Sequence, residues 1–146
     1  METLGSLIDK LTIKNIRLFY LKRKKDKKKT KIVKKQIELI QDEIEGFLSL
    51  AIKGKILLVT DEKLKLYNIG IKKQKFKSQL SSLIDSLSQI NITLWHLEDE
   101  VRRKNMPDSY IVKIKRKIDK NNQIRNDLID GIDKLLERKI HTNRKK

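Results

Sequence analysis

Cysteine is absent from the 146 residues, which removes disulfides, thiolate metal ligands and thiol redox couples from consideration. Histidine occurs twice, too few for most zinc sites. Long apolar runs are missing as well. The longest nearly apolar stretch, Phe47 to Ile52, falls far short of the roughly 20 residues a spanning helix needs, so no membrane span is expected. Glu2 stands where a secretory signal would carry Lys or Arg, and a cytoplasmic protein is the expectation. A scan for motifs that carry a catalytic mechanism finds none, so neither a catalytic residue, a cofactor nor a metal is assigned, and an enzyme is the less favoured class.

What is present is charge, with 36 Lys plus Arg against 19 Asp plus Glu and a formal net charge of +17. Such a surface can displace counterions from phosphates, which makes nucleic acid a candidate partner. Arginine supplies only eight of the basic residues, however, and lysine rises together with 21 isoleucines, as an AT-rich coding sequence would impose by itself. Nucleic acid is therefore the alternative and not the favoured partner. The charge is spread along the chain, apart from one dense block from Lys22 to Lys35.

The apolar pattern is helical. Residues Leu7 to Leu21 and Leu83 to Leu97 match at eight of fifteen positions, Asp9 with Asp85 and Asn15 with Asn91 among them, which reads as a duplicated element. In the first half Val33, Ile37, Ile40, Ile44, Phe47, Leu48 and Ala51 recur at spacings of three and four. Ile111, Ile114, Ile118, Ile129, Ile132 and Leu135 or Leu136 do the same in the second. Four helices follow, over about 3–24, 30–52, 79–104 and 109–140. Pro107 disfavours helix at Met106, and Asp108 or Ser109 can cap the last helix. The expected architecture is all-α: one domain over 1–146, a four-helix bundle of two antiparallel hairpins, 3–52 and 79–140, joined by an irregular crossover over 53–78. Within that crossover a small β-hairpin and a single helical turn both fit the sequence.

Polar residues interrupt the apolar faces of the second hairpin. Asn91 and Glu98 lie within the apolar arc of the third helix, and Asn122 and Arg125 sit between Ile118 and Ile129 on the fourth. If the hairpin turns near Pro107, Asn91 faces Asn122 and Gln123, and Glu98 faces Lys115 and Arg116. A buried amide or guanidinium without a partner costs on the order of 1 to 3 kcal/mol, so these groups need partners in the fold or in a ligand. Three outcomes stay open: a hydrogen-bonded layer that fixes helix register, a pocket for a small anionic or sugar-like ligand, or solvent exposure. Glu98, Asp99 and Glu100 have Arg102 and Arg103 within one turn, which favours intrahelical ion pairing over paired-carboxylate catalysis. Trp95 and Phe19 are expected in core or inter-hairpin packing, and His96 in solvent.

The stretch from Asn91 to Arg102, NITLWHLEDEVR, combined with Ile118-Asp119, Asn122-Gln123 and Arg125-Asn126-Asp127, resembles the pattern of a bacterial helical family known as domain of unknown function 4254. The resemblance covers about Leu80 to Leu136 and assigns no chemistry. It implies a setting near glycosyltransferases of surface-polysaccharide assembly, and hence a partner in that pathway. Its motif coincides with the polar positions found from periodicity, so Asn91, Glu98, Asp99, Arg102, Asn122 and Arg125 form the candidate site. A binding or accessory protein, monomer or homodimer, is the expected class.

Overall fold

The computed structural model describes residues 2–56, 58 and 79–144, with side chains through 141. The described residues form four α-helices: α1 Leu4–Arg23, α2 Lys27–Ile52, α3 Leu80–Val101 and α4 Asp108–Arg144. No strand occurs among the described residues. Most of the crossover over 53–78, including the choice between a small hairpin and a helical turn, lies outside the described residues.

Each helix end has a local cause. Thr3 and Ser6 form a reciprocal capping box at the start of α1: the Ser6 backbone N–H donates to Thr3 Oγ1 at 3.1 Å, and the Thr3 N–H to Ser6 Oγ at 2.8 Å. α1 ends in a Schellman turn, with the Asp26 N–H donating to the Leu21 carbonyl and the Lys25 N–H to that of Lys22. That turn places Lys25 at φ 57°, a left-handed conformation usually given to glycine. Asp26 then caps α2 by accepting from the Lys29 N–H at 3.1 Å. The same closing turn ends α2, here with Gly54 at φ 74°. Pro107 stops the preceding turn as expected, but α4 begins at Asp108 itself. The Pro107 carbonyl accepts from Tyr110 and Ile111, and Asp108 stands in the first turn, where its charge complements the helix dipole.

Helix directions follow from the bonds between elements. Asp9 and Thr12 of α1 meet Asn91 of α3, and further along both helices Tyr20 meets Trp95, so α1 and α3 run parallel. Thr3 and Gly5 meet Asp133 while Asp9 meets Arg125, so α4 runs antiparallel to α1. The result is an up-down-up-down bundle of two antiparallel hairpins, α1–α2 and α3–α4. Both short turns, 24–26 and 102–107, therefore lie at the same end.

α1 touches every other helix, whereas α2 packs mainly on α1 and reaches α4 only slightly. This explains an uneven core. Leu83 and Leu87 of α3 pack with Leu128, Ile132 and Leu135 of α4, and Leu94 packs with Ile114 and Ile118. On the α2 stripe only Val33 and Ala51 are buried, and Ile37, Ile40, Ile44, Phe47 and Leu48 are half-covered, as no other helix among the described residues closes that side. α4, with 37 residues, is about 55 Å long against about 33 Å for the 22-residue α3. Its overhang carries Leu136 and Ile140 onto Leu4 and Ala51.

The start of α1 is seated on α4 by one carboxylate. Asp133 accepts from the Thr3 hydroxyl and from the Gly5 backbone N–H, both at 2.7 Å. This puts a buried anion at the positive end of α1. Gly5 is required there, since a Cβ would come within 2.7 Å of the Ile129 carbonyl and 2.8 Å of Asp133 Oδ1.

Candidate functional site

Asp9 organises the centre of the bundle. It is 3% exposed and accepts from three donors: Asn91 Nδ2 at 2.9 Å, Arg125 Nε at 3.1 Å and Arg125 Nη2 at 2.6 Å. Asn91, 4% exposed, also donates to the Thr12 hydroxyl at 2.7 Å. Three helices thus meet on one carboxylate, which holds the Arg125 fork in a two-bond geometry. The Arg125 side chain remains 31% exposed.

Beside this node lies an open cavity of about 270 Å³, lined by Ile13 of α1, by Leu94 and Trp95 of α3, and by all six polar positions of the sequence-derived site: Asn91, Glu98, Asp99, Arg102, Asn122 and Arg125. Their burial is graded. Asn91 is buried, Asn122 and Arg125 are partly covered, and Glu98, Asp99 and Arg102 stand on the exposed rim. Trp95 stacks on Tyr20 with ring centroids 5.7 Å apart and planes 3° apart, which ties this wall of the cavity to α1.

Several expected pairings are replaced. Asn91 and Asn122 do not bond each other, because α1 lies against the α3–α4 hairpin and Asp9 and Thr12 take the Asn91 amide. Gln123 donates instead to Asp127 along its own helix, at 3.2 Å. Among the described residues the Asn122 amide has no hydrogen-bond partner, and Glu98 has no ion pair with the exposed Lys115 or Arg116. The expected intrahelical pairs do form, Arg102 with Asp99 at 3.8 Å and Arg103 with Glu100 at 2.6 Å. The Tyr110 hydroxyl donates to the same Glu100 carboxylate. That bond, followed by the one from Arg103, holds the Glu100 carboxyl below the ordinary carboxylate range, and the bond to Glu100 chiefly raises the Tyr110 phenol.

Phe19 is 55% exposed and so is not core, in contrast to the expectation, whereas Trp95 does join the hairpins. His96 is exposed, and its Nε2 lies 3.1 Å from the Tyr20 hydroxyl. Among the described residues no group of three or more His, Asp or Glu could hold a metal ion, and no helix is long and apolar enough to cross a membrane.

Asp9 is the site residue that periodicity missed. It lies off the Leu4, Leu7, Leu11 stripe, on a second arc of α1 with Gly5, Thr12 and Ile16. A run of small and polar residues on the second side of an otherwise apolar helix is the signal that could have found it.

Fold and site define a helical-hairpin bundle with a polar cleft beside the Asp9–Arg125 ion pair. Residues 81–146, just under half of the chain, match the model of the family described as Protein of unknown function (DUF4254), which supports the family resemblance read from the sequence. No curated protein and no solved structure matches the chain.

Proposed function

We propose that the protein is a binding or accessory bundle whose cavity takes a small, polyhydroxylated, sugar-like ligand. One observation carries this: six polar residues from two helices, chosen by pattern, line a single cleft beside Trp95, and Asp9 pre-positions two of them. The Arg125 guanidinium has five N–H donors and commits two to Asp9, so three stay available. The unpartnered Asn122 amide offers both a donor and an acceptor, and Glu98 accepts. A volume of about 270 Å³ is near the lower limit of ligand pockets, roughly 300 Å³, which suits a monosaccharide-sized occupant.

Charge selects between the two ligand types expected from sequence. Glu98 and Asp99 balance Arg102 and Arg125 on the lining, and Asp9 behind them adds one further negative charge. A strongly anionic ligand meets no net attraction there, whereas neutral hydroxyl groups find donors and acceptors side by side. The glycan setting implied by the family resemblance supports the same reading and suggests an accessory role beside glycan-assembly enzymes.

Saturation-transfer NMR of the full chain with glucose, galactose and N-acetylglucosamine, and with inorganic phosphate for contrast, tests the proposal. Transfer to at least one sugar is expected, lost in Asn122→Ala and in Glu98→Gln. Both variants should keep the wild-type melting temperature, because neither side chain is bonded among the described residues. No transfer to any sugar, or transfer indifferent to both substitutions, refutes the ligand-binding role.

A further inference from the structure

We propose that the turn end of the bundle is a docking surface for anionic lipid membranes. The block from Lys22 to Lys35 holds ten basic residues and one acid, Asp26. Every one of the ten is exposed. Because α1 and α3 run parallel, the second turn brings Arg102, Arg103 and Lys104 to the same end, the two arginines partly neutralised by Asp99 and Glu100. The sign of the charge changes abruptly beyond the block: Glu38, Asp42, Glu43 and Glu45 follow along α2. Within the first hairpin the densest positive charge therefore lies at the tip, which favours an end-on approach to a negative plane.

Two large apolar side chains stand out of this basic field. Phe19 is 55% and Ile32 52% exposed. Phe19 lies four residues before the end of α1 and Ile32 five residues into α2, so at 1.5 Å per residue both sit within about 8 Å of the turn. Leu21 and Val33, buried beside them in sequence, keep the tip folded while Phe19 and Ile32 stay outside. Arg23 lies over the Phe19 ring, its guanidinium carbon 5.6 Å from the centroid. Lysines around exposed aromatic and aliphatic groups combine headgroup attraction with shallow apolar insertion. Duplex nucleic acid has no use for Phe19 and Ile32 at its phosphates, which are met by charge alone. The lipid surface is accordingly the better fit.

Co-sedimentation of the full chain with phosphatidylcholine vesicles, and with vesicles in which about one lipid in four is phosphatidylserine, tests this at roughly physiological ionic strength. Capture by the anionic vesicles alone is expected. At about fivefold per lysine, Lys28→Gln with Lys31→Gln lowers the partition roughly 25-fold. Phe19→Ser with Ile32→Ser lowers it at least about tenfold. The same charge removed from α4 away from the tip, Lys120→Gln with Lys139→Gln, changes it less than about threefold. All six positions are exposed, so each double variant should retain the wild-type circular dichroism. The proposal is overturned by no capture on anionic vesicles, by equal losses from the tip and α4 lysine pairs, or by no loss from the apolar pair. Duplex DNA that displaces the chain from vesicles would assign the block to nucleic acid instead.

Discussion

Breaking the Asp9–Arg125 pair should loosen one hairpin from the other. In Arg125→Ala the Asp9 carboxylate stays buried at 3% exposure and keeps only the Asn91 amide. Stranding one partner of a buried pair costs about 3 to 5 kcal/mol, but the Arg125 side chain is 31% exposed, so water already weakens the attraction and about 2 to 4 kcal/mol is the better expectation. For a chain of this size that is a fall in melting temperature of about 6 to 14 °C. Asp9→Leu strands the arginine instead, which can still turn to water, and should cost less. The double variant Asp9→Leu with Arg125→Met fills similar volume without charge, and such replacements are often near neutral, so it should be clearly more stable than the two single losses summed. Urea titrations followed by far-UV circular dichroism give the four free energies of the cycle. A coupling of at least about 1.5 kcal/mol is expected; additivity within about 0.5 kcal/mol would mean that the pair does not join the hairpins. This also makes Arg125→Ala a poor probe of ligand binding, since it removes a wall support along with a donor.

Gly5→Ala should destabilise by about 1 to 3 kcal/mol, seen as a melting temperature about 3 to 10 °C lower, because the new methyl meets the Ile129 carbonyl and Asp133 with no room to yield. Lys25→Gly should stabilise by about 0.5 to 1 kcal/mol by relieving the left-handed backbone of the first turn, and an unchanged or lower urea midpoint refutes this. Tyr110→Phe removes the bond that chiefly depresses the Glu100 carboxyl, so its titration by carboxyl NMR should move up toward the ordinary carboxylate value. The sign is that of a lowered acid: the contribution of Glu100 to stability is present above the unfolded carboxylate pKa and is lost as pH falls through the depressed folded one. An unmoved titration would assign the shift to Arg103 alone.

The helices and the site were legible for one reason and incomplete for another. A polar residue inside an apolar stripe is visible from its own helix, which is why Asn91, Glu98, Asn122 and Arg125 could be found by spacing. Which helix covers a given arc is a property of the assembly. α1 lies between α2 and the α3–α4 hairpin, so it is buried on two arcs, and Asp9 belongs to the second, where no apolar stripe marks it. The two similar segments, 7–21 and 83–97, show the same limit: Asp9 and Asn91 are buried and bonded to each other, while Asp85 and Asn15 at the matching positions are exposed. Equal sequence at those positions met unequal neighbours. The node accordingly joins the two halves of the chain, with the carboxylate from the first hairpin and the amide and guanidinium from the second. Residues 81–146, the part that matches the family model, hold Asn91 and Arg125 but not the anion that fixes them. A related chain that keeps this pair of residues in the same place must supply a buried acceptor from another element, and an aspartate or glutamate on a helix laid across its α3–α4 hairpin is the feature to seek.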